Sequence, residues 1–179
     1  MNTPNKLTLG RVVCALFMIV FILLPGSVFA WLSFFMFGIA SLTDMADGKI
    51  ARARGLVTNF GKFMDPLADK ILNYSVMVLL LPEGLIPPVA LVLILFREFL
   101  VSGIRQSGAE QGVVIAANIW GKLKTFVQDV SLAAILLLRA VGVSFLAPLS
   151  NGLIWLCAAL TVISGIIYVV QNVGVLREE

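Results

Sequence analysis

The sequence predicts an all-α integral membrane protein with six transmembrane helices and a short N-terminal surface helix. Three observations lead there. Apolar residues make up 60% of the 179-residue chain and charged residues 13%, with a mean hydropathy of +1.02. A soluble domain carries about 25% charged residues, and a chain this short has too little interior to bury so much apolar surface. The apolar residues also fall into six runs, most near the roughly 20 residues that cross hydrocarbon. Finally, twelve of the thirteen cations fall on or near one side.

Taken in order, residues 1–11 (M-N-T-P-N-K-L-T-L-G-R) read as a surface helix with Asn5 as its N-cap and with Thr8 and Arg11 at helical spacing after it. The first apolar run, Val12 to Leu24, stops at Pro25-Gly26; it is short unless the surface helix continues into it. A secretory leader is the competing reading of this region, but the segment that follows is itself apolar. The second run spans about Phe29–Ala51 and the third about Gly61–Leu81. The fourth runs from Ile86 to Gln106, with Pro87 and Pro88 in its first turn, where proline is tolerated. The fifth spans Ala116–Arg139 and the sixth Gly152–Asn172. One domain, residues 1–179, is expected. With six spans, every Lys and Arg of the thirteen except Arg139 lies on or near the side shared by the two termini. That side is expected to be cytoplasmic. With no transit-like leader, the expected home is a bacterial plasma membrane.

Cys14 and Cys157 both lie in apolar runs and read as core residues. The chain has no histidine, so a bound metal would need oxygen ligands, which favours Mg²⁺, Mn²⁺ or Ca²⁺ over zinc. A general base would have to be a carboxylate or another non-imidazole group.

Four of the ten acidic residues, Asp44, Asp47, Asp65 and Asp69, fall within one 26-residue stretch. Ionisable groups at membrane depth are costly and point to function. At about 100° per residue, Asp47, Ala51, Asp44, Gly48 and Arg52 cover about 140° of one helix face. The small side chains between the charged ones leave a recess. Gly61, Asp65, Asp69 and Asn73 recur every four residues and form a second stripe. Joined by residues 53–61, the two helices read as antiparallel neighbours whose acidic faces meet. Four carboxylates so placed repel one another unless cations join them, and one or two divalent ions meet that need. Such sites clamp phosphoryl oxygens, and Arg52 suits a phosphate ligand. The alternative is a structural ion-pair network with Arg52, Arg54 and Lys70.

The stretch fits D-x2-D-G-x2-A-R-x8-G-x3-D-x3-D, filled by Asp44, Asp47, Gly48, Ala51, Arg52, Gly61, Asp65 and Asp69. It resembles the signature of the CDP-alcohol phosphatidyltransferase family, which matches at all eight positions, and the six-helix segmentation extends the likeness over the whole chain. The resemblance implies transfer of a phosphatidyl group from a CDP-linked lipid to an alcohol with release of CMP, dependence on Mg²⁺ or Mn²⁺, and a homodimer. It implies metal-ligand roles for Asp44, Asp47 and Asp65. Asp69 would sit at the metals and act as general base. Gly48, Ala51 and Gly61 would make room for the nucleotide, with Arg52 near its phosphates and Asn5 and Thr8 beside the nucleotide or lipid headgroup.

Arg97–Arg105 (R-E-F-L-V-S-G-I-R) and Gly121–Thr125 (G-K-L-K-T) resemble the members of that family whose acceptor is sn-glycerol 3-phosphate and whose donor is CDP-diacylglycerol. Independently of that likeness, Glu98, Ser102 and Arg105 share a helix face. Arg105, Lys122 and Lys124 group at the cytoplasmic ends of the fourth and fifth helices, which suits an acceptor that carries a phosphate. Membrane lipid is the other expected partner, and nucleic acid is not expected. Two rivals stand beside this reading. One is a different alcohol acceptor, such as inositol phosphate or serine. The other is a cation transporter, whose acidic residues would lie nearer the bilayer midplane.

Overall fold

The computed structural model describes the backbone of residues 3–54, 59–113, 115 and 119–176, and the side chains of residues 8–43, 64–113, 115 and 119–174. Among the described residues the chain is entirely helical. Its elements are α1 (Thr3–Leu23), α2 (Ser27–Arg54), α3 (Asn59–Leu79), α4 (Pro88–Glu110), α5 (Ile119–Val141), α6 (Leu146–Gln171) and a short 3₁₀ turn, Val173–Leu176.

Several boundaries differ from the sequence expectation; α4 reaches Glu110 instead of Gln106, and α6 begins at Leu146 instead of Gly152. α1 is continuous from Thr3, so the expected surface helix and the first apolar run are one element. Asn5 therefore lies inside the helix and is not its N-cap. Pro4 accounts for the early start, because its fixed φ and missing N–H suit a first helical turn. α2 runs on to Arg54 and α3 begins at Asn59, which leaves residues 55–58 as the connection instead of 53–61. Ala and Arg at the end of α2 are good helix formers and nothing stops it sooner. At α4, Pro87 takes the extended N-cap conformation (φ −66°, ψ 124°) and Pro88 opens the helix.

By length and apolar character alone, one helix among the described residues, α6, suffices to cross a membrane. α1 and α2 contribute shorter apolar stretches, Thr8–Leu23 and Ser27–Thr43. Large apolar side chains point outward on several helices: Phe35, Leu42, Phe96, Phe99, Phe126 and Val170 are each more than half exposed.

The chain forms two compact units. The first comprises Met1–Glu83 with Leu132–Leu146. Here α1 packs against both α2 and α3 through one stripe, Thr8, Arg11, Ala15, Met18 and Ile22, that recurs every three or four residues and is fully buried. The α1–α2 turn is closed by Gly26 at φ 113°, a conformation open to glycine at little cost, and Phe21 stacks on Phe29 across it. Arg139 donates to both carboxylate oxygens of Glu83 at 2.6 and 2.9 Å and to the Ile22 carbonyl at 3.2 Å. That carbonyl lies in the last turn of α1, where carbonyls lack an intrahelical donor.

The second unit comprises Gly84–Ser131 with Ala147–Glu179. Its interior is built on the buried face of α6, which carries Ser150, Ile154, Cys157, Ala158, Thr161, Ser164, Gly165 and Tyr168. Small and hydroxylated residues let helices approach closely and hydrogen-bond across the contact. Gly165 is a point of close approach: a Cβ there would come within 2.9 Å of Arg97 Cγ. Because the Arg97 guanidinium is tied down, Gly165→Ala is expected to cost about 1–3 kcal/mol by overpacking. The thermal unfolding midpoint in detergent measures this, and a wild-type midpoint would refute the close-approach account. Beside this contact, Phe96, Leu100, Val162, Ile166, Val169 and Val170 line an apolar groove of about 270 Å³.

Candidate active site

The acidic residues are carried on two helices that pack against each other and against α1. Asp44, Asp47, Gly48, Ala51 and Arg52 lie on the C-terminal half of α2 and Gly61 near the start of α3, so the helical spacing used to group them holds in the backbone. Their side chains, like that of Asn5 on α1, lie outside the described residues. Asp65 and Asp69 are described. Asp65 is exposed, Asp69 is half-buried and Asn73, the next member of the stripe, is buried. The stripe thus runs from the surface inward. Pro66 follows Asp65 inside α3 and removes one N–H from the helix ladder beside that carboxylate.

Thr8 on α1 is buried, and its hydroxyl donates to Asp65 Oδ1 at 2.6 Å. A short hydrogen bond to a carboxylate is among the stronger kinds, and this one fixes the Asp65 oxygens against α1. Asn73 Nδ2 approaches Asp69 Oδ1 at 3.5 Å, at the long limit of a hydrogen bond. Arg11, one turn after Thr8, is 1% exposed. Its helical spacing from Thr8 already marked a shared helix face. A guanidinium so far from water needs acidic or polar partners around it.

The donor set fits a hard divalent cation. Asp65 and Asp69 offer carboxylate oxygens one turn apart on α3, with Asp44 and Asp47 on the adjacent α2, and the chain has no imidazole. Among the described residues alone there is no cluster of three or more metal-binding side chains.

The expected anion-binding cations belong to the second unit and are not equivalent there. Lys124 is 3% exposed; its Nζ lies 2.8 Å from Glu98 Oε1 and donates to Gln128 Oε1 at 3.1 Å. The same Glu98 oxygen accepts from Arg97 Nη1 at 2.7 Å, and Arg97 Nη2 donates to the Ser164 hydroxyl at 2.8 Å. Gly121 makes room for this network, since a Cβ there would meet Arg97 Nη2 at 3.3 Å. The R-E and G-K-L-K-T stretches, far apart in sequence, therefore meet as one buried charge cluster. Below it the Cys157 thiol donates to Ser131 Oγ at 3.4 Å. Lys122 and Arg105 are exposed. Arg105 Nε donates to the Tyr168 hydroxyl at 3.0 Å, with the guanidinium carbon 5.5 Å from the ring centroid.

Sequence reasoning passed over Gln128, Ser164 and Tyr168. The available signal was the recurrence of Cys157, Thr161, Ser164 and Tyr168 on one face of the most apolar helix. Chemically, the α2–α3 face can hold a cation and accept a proton, and the second unit presents cations to an anion.

A model of the CDP-alcohol phosphatidyltransferase family matches residues 1–163. A Bacillus subtilis CDP-diacylglycerol–glycerol-3-phosphate 3-phosphatidyltransferase is 38% identical over 188 residues, covering 96% of this chain and 95% of its own. A Rickettsia typhi protein of the same name is 38% identical over 168 residues, covering 93% of this chain and 94% of its own. A Mycoplasma genitalium protein of that name is 31% identical, covering 93% and 82%. With the family model extending across every residue of the acidic pattern, the chain belongs to the CDP-alcohol phosphatidyltransferase family.

Proposed function

We propose that the protein transfers the phosphatidyl group of CDP-diacylglycerol to sn-glycerol 3-phosphate, giving phosphatidylglycerophosphate and CMP. The observation that carries this is the complete eight-position pattern, unbroken in spacing, on two mutually packed helices, α2 and α3. Relatives named for this reaction match over more than nine-tenths of both chains.

Asp44, Asp47, Asp65 and Asp69 are assigned as the ligands of Mg²⁺ or Mn²⁺, a reading supported by their all-oxygen chemistry. When bound, the ion supplies positive charge to the phosphoryl oxygens. Thr8 orients Asp65 through its 2.6 Å hydrogen bond. Gly48, Ala51 and Gly61 leave space for the nucleotide, with Arg52 on its phosphates and Asn5 nearby on α1. Asp69 takes the proton of the acceptor's primary hydroxyl as the positioned general base. The acceptor oxygen bonds to the lipid-proximal phosphorus as the bond to CMP breaks. Arg105 and Lys122 offer exposed cations to the acceptor's phosphate, and Lys124, enclosed against Glu98 and Gln128, adds positive charge to that region without leaving its partners.

We assign α1–α6 as six membrane spans of one domain, residues 1–179, with the termini and the acidic site cytoplasmic in a bacterial plasma membrane. The outward apolar side chains support this, since soluble monomers rarely expose such surface. A homodimer is part of the same reading.

Purified protein given labelled CDP-diacylglycerol and Mg²⁺, with glycerol 3-phosphate, inositol phosphate or serine as acceptor, tests the proposal. CMP release with glycerol 3-phosphate, lost on chelation, is expected. Release with another acceptor alone would reassign the substrate, and metal-dependent ion flux without CMP would point to a transporter.

A further inference from the structure

We propose that Tyr168 is a positioning residue for acceptor recognition, holding Arg105 in the orientation that receives the acceptor's phosphate. This rests on the assignment of Arg105 to that phosphate. Tyr168 is 1% exposed on α6, and its ring is packed against Val101 and Ile104 of α4, with Ile115 and Val169 alongside. Just beyond the end of α6, Asn172 Nδ2 donates to the Tyr168 carbonyl at 2.8 Å and steadies the last turn. The ring therefore has one place to be. Its hydroxyl emerges at Arg105, one turn beyond Val101 on the same face of α4, and accepts the Nε proton at 3.0 Å. The ring lies beside the guanidinium at 5.5 Å, within cation–π range.

The choice of nitrogen is the point. A guanidinium has five donors in a rigid fork. With Nε committed to Tyr168, the Nη1–Nη2 edge is the one left to face an anion, and that edge bonds a phosphate through two parallel N–H groups. An exposed arginine without such a tether samples many rotamers and loses that freedom when it binds. A buried phenol that fixes Nε removes part of this cost before the acceptor arrives. Phenylalanine at 168 would keep the packing and the cation–π contact and remove only the tether.

Tyr168→Phe is expected to raise KM for glycerol 3-phosphate about tenfold, the size of one orienting hydrogen bond to a charged group. Turnover, KM for CDP-diacylglycerol and the unfolding midpoint should stay as they are. In an Arg105→Lys background the same change should have no further effect, because lysine has no Nε fork to orient. If Tyr168→Phe lowers turnover and the unfolding midpoint together, or leaves acceptor KM unchanged while Arg105→Gln raises it, Tyr168 only packs the helix and the proposal fails. If Arg105→Gln itself leaves acceptor KM unchanged, the assignment of Arg105 fails, and this proposal with it.

Discussion

Asp69→Asn lowers turnover by about 10²–10⁴-fold, the usual contribution of a positioned general base, while the protein folds and inserts normally. Asparagine matches aspartate in size, and the half-buried position on α3 is not part of the apolar core, so packing is not disturbed. The amide cannot accept the hydroxyl proton and is a poorer ligand for a divalent cation. Initial rates at saturating substrate, beside a circular dichroism spectrum and a detergent melting curve, separate lost chemistry from lost fold. Near-normal turnover in the variant would remove Asp69 from the role of base. Asp65 has one of its oxygens fixed by Thr8. Thr8→Val is therefore expected to weaken metal affinity by about 10–100-fold, the range seen when a ligand loses its supporting hydrogen bond. A metal titration of activity that gives the wild-type half-saturation point would count against that support.

Glu98→Leu destabilises the protein by about 3–5 kcal/mol, the cost of leaving a buried charge without its partner. One carboxylate oxygen serves both Arg97, at 2.7 Å, and Lys124, at 2.8 Å. Lys124 is almost fully enclosed, and Arg97 is buried and passes close to Gly121 and Gly165. Removing the carboxylate leaves two cations facing each other. Lys124→Gln should cost less, because Glu98 keeps Arg97 and the amide can still bond to Gln128. Melting midpoints of the two variants test this ordering. A Glu98→Leu protein as stable as wild type would mean that the cluster does not hold the second unit together.

Much of the helical framework was legible in the sequence because helices follow local rules. Apolar runs are visible without any packing information, and the structure has a helix at each of the six, although among the described residues only α6 is long and apolar enough to cross a membrane. The Pro25-Gly26 and Pro82–Pro88 breaks act locally, through backbone geometry, so they fell where expected. The acidic pattern was legible for a similar reason: four aspartates at helical spacing lie on one face of whatever helix carries them. Boundaries were less legible. Continuity of α1 through Gly10 and Arg11 depends on burial of Thr8 and Arg11 against α2 and α3, a tertiary gain that local propensity does not display.

The cations show where sequence reasoning stops. Arg105, Lys122 and Lys124 look alike in sequence, three basic residues near helix ends on one side. In the structure one is enclosed against Glu98 and Gln128, one is exposed, and one is tethered to a tyrosine on α6. Position along a helix fixes the angle of a side chain but not what another helix brings to it. By itself, then, the sequence determined the helical class and the family, because each depends on composition or on spacing within one or two neighbouring helices. Only the tertiary structure decided which cations remain available to an anion and which are committed inside, because that depends on contacts between residues as far apart as Arg97 and Ser164 or Arg105 and Tyr168.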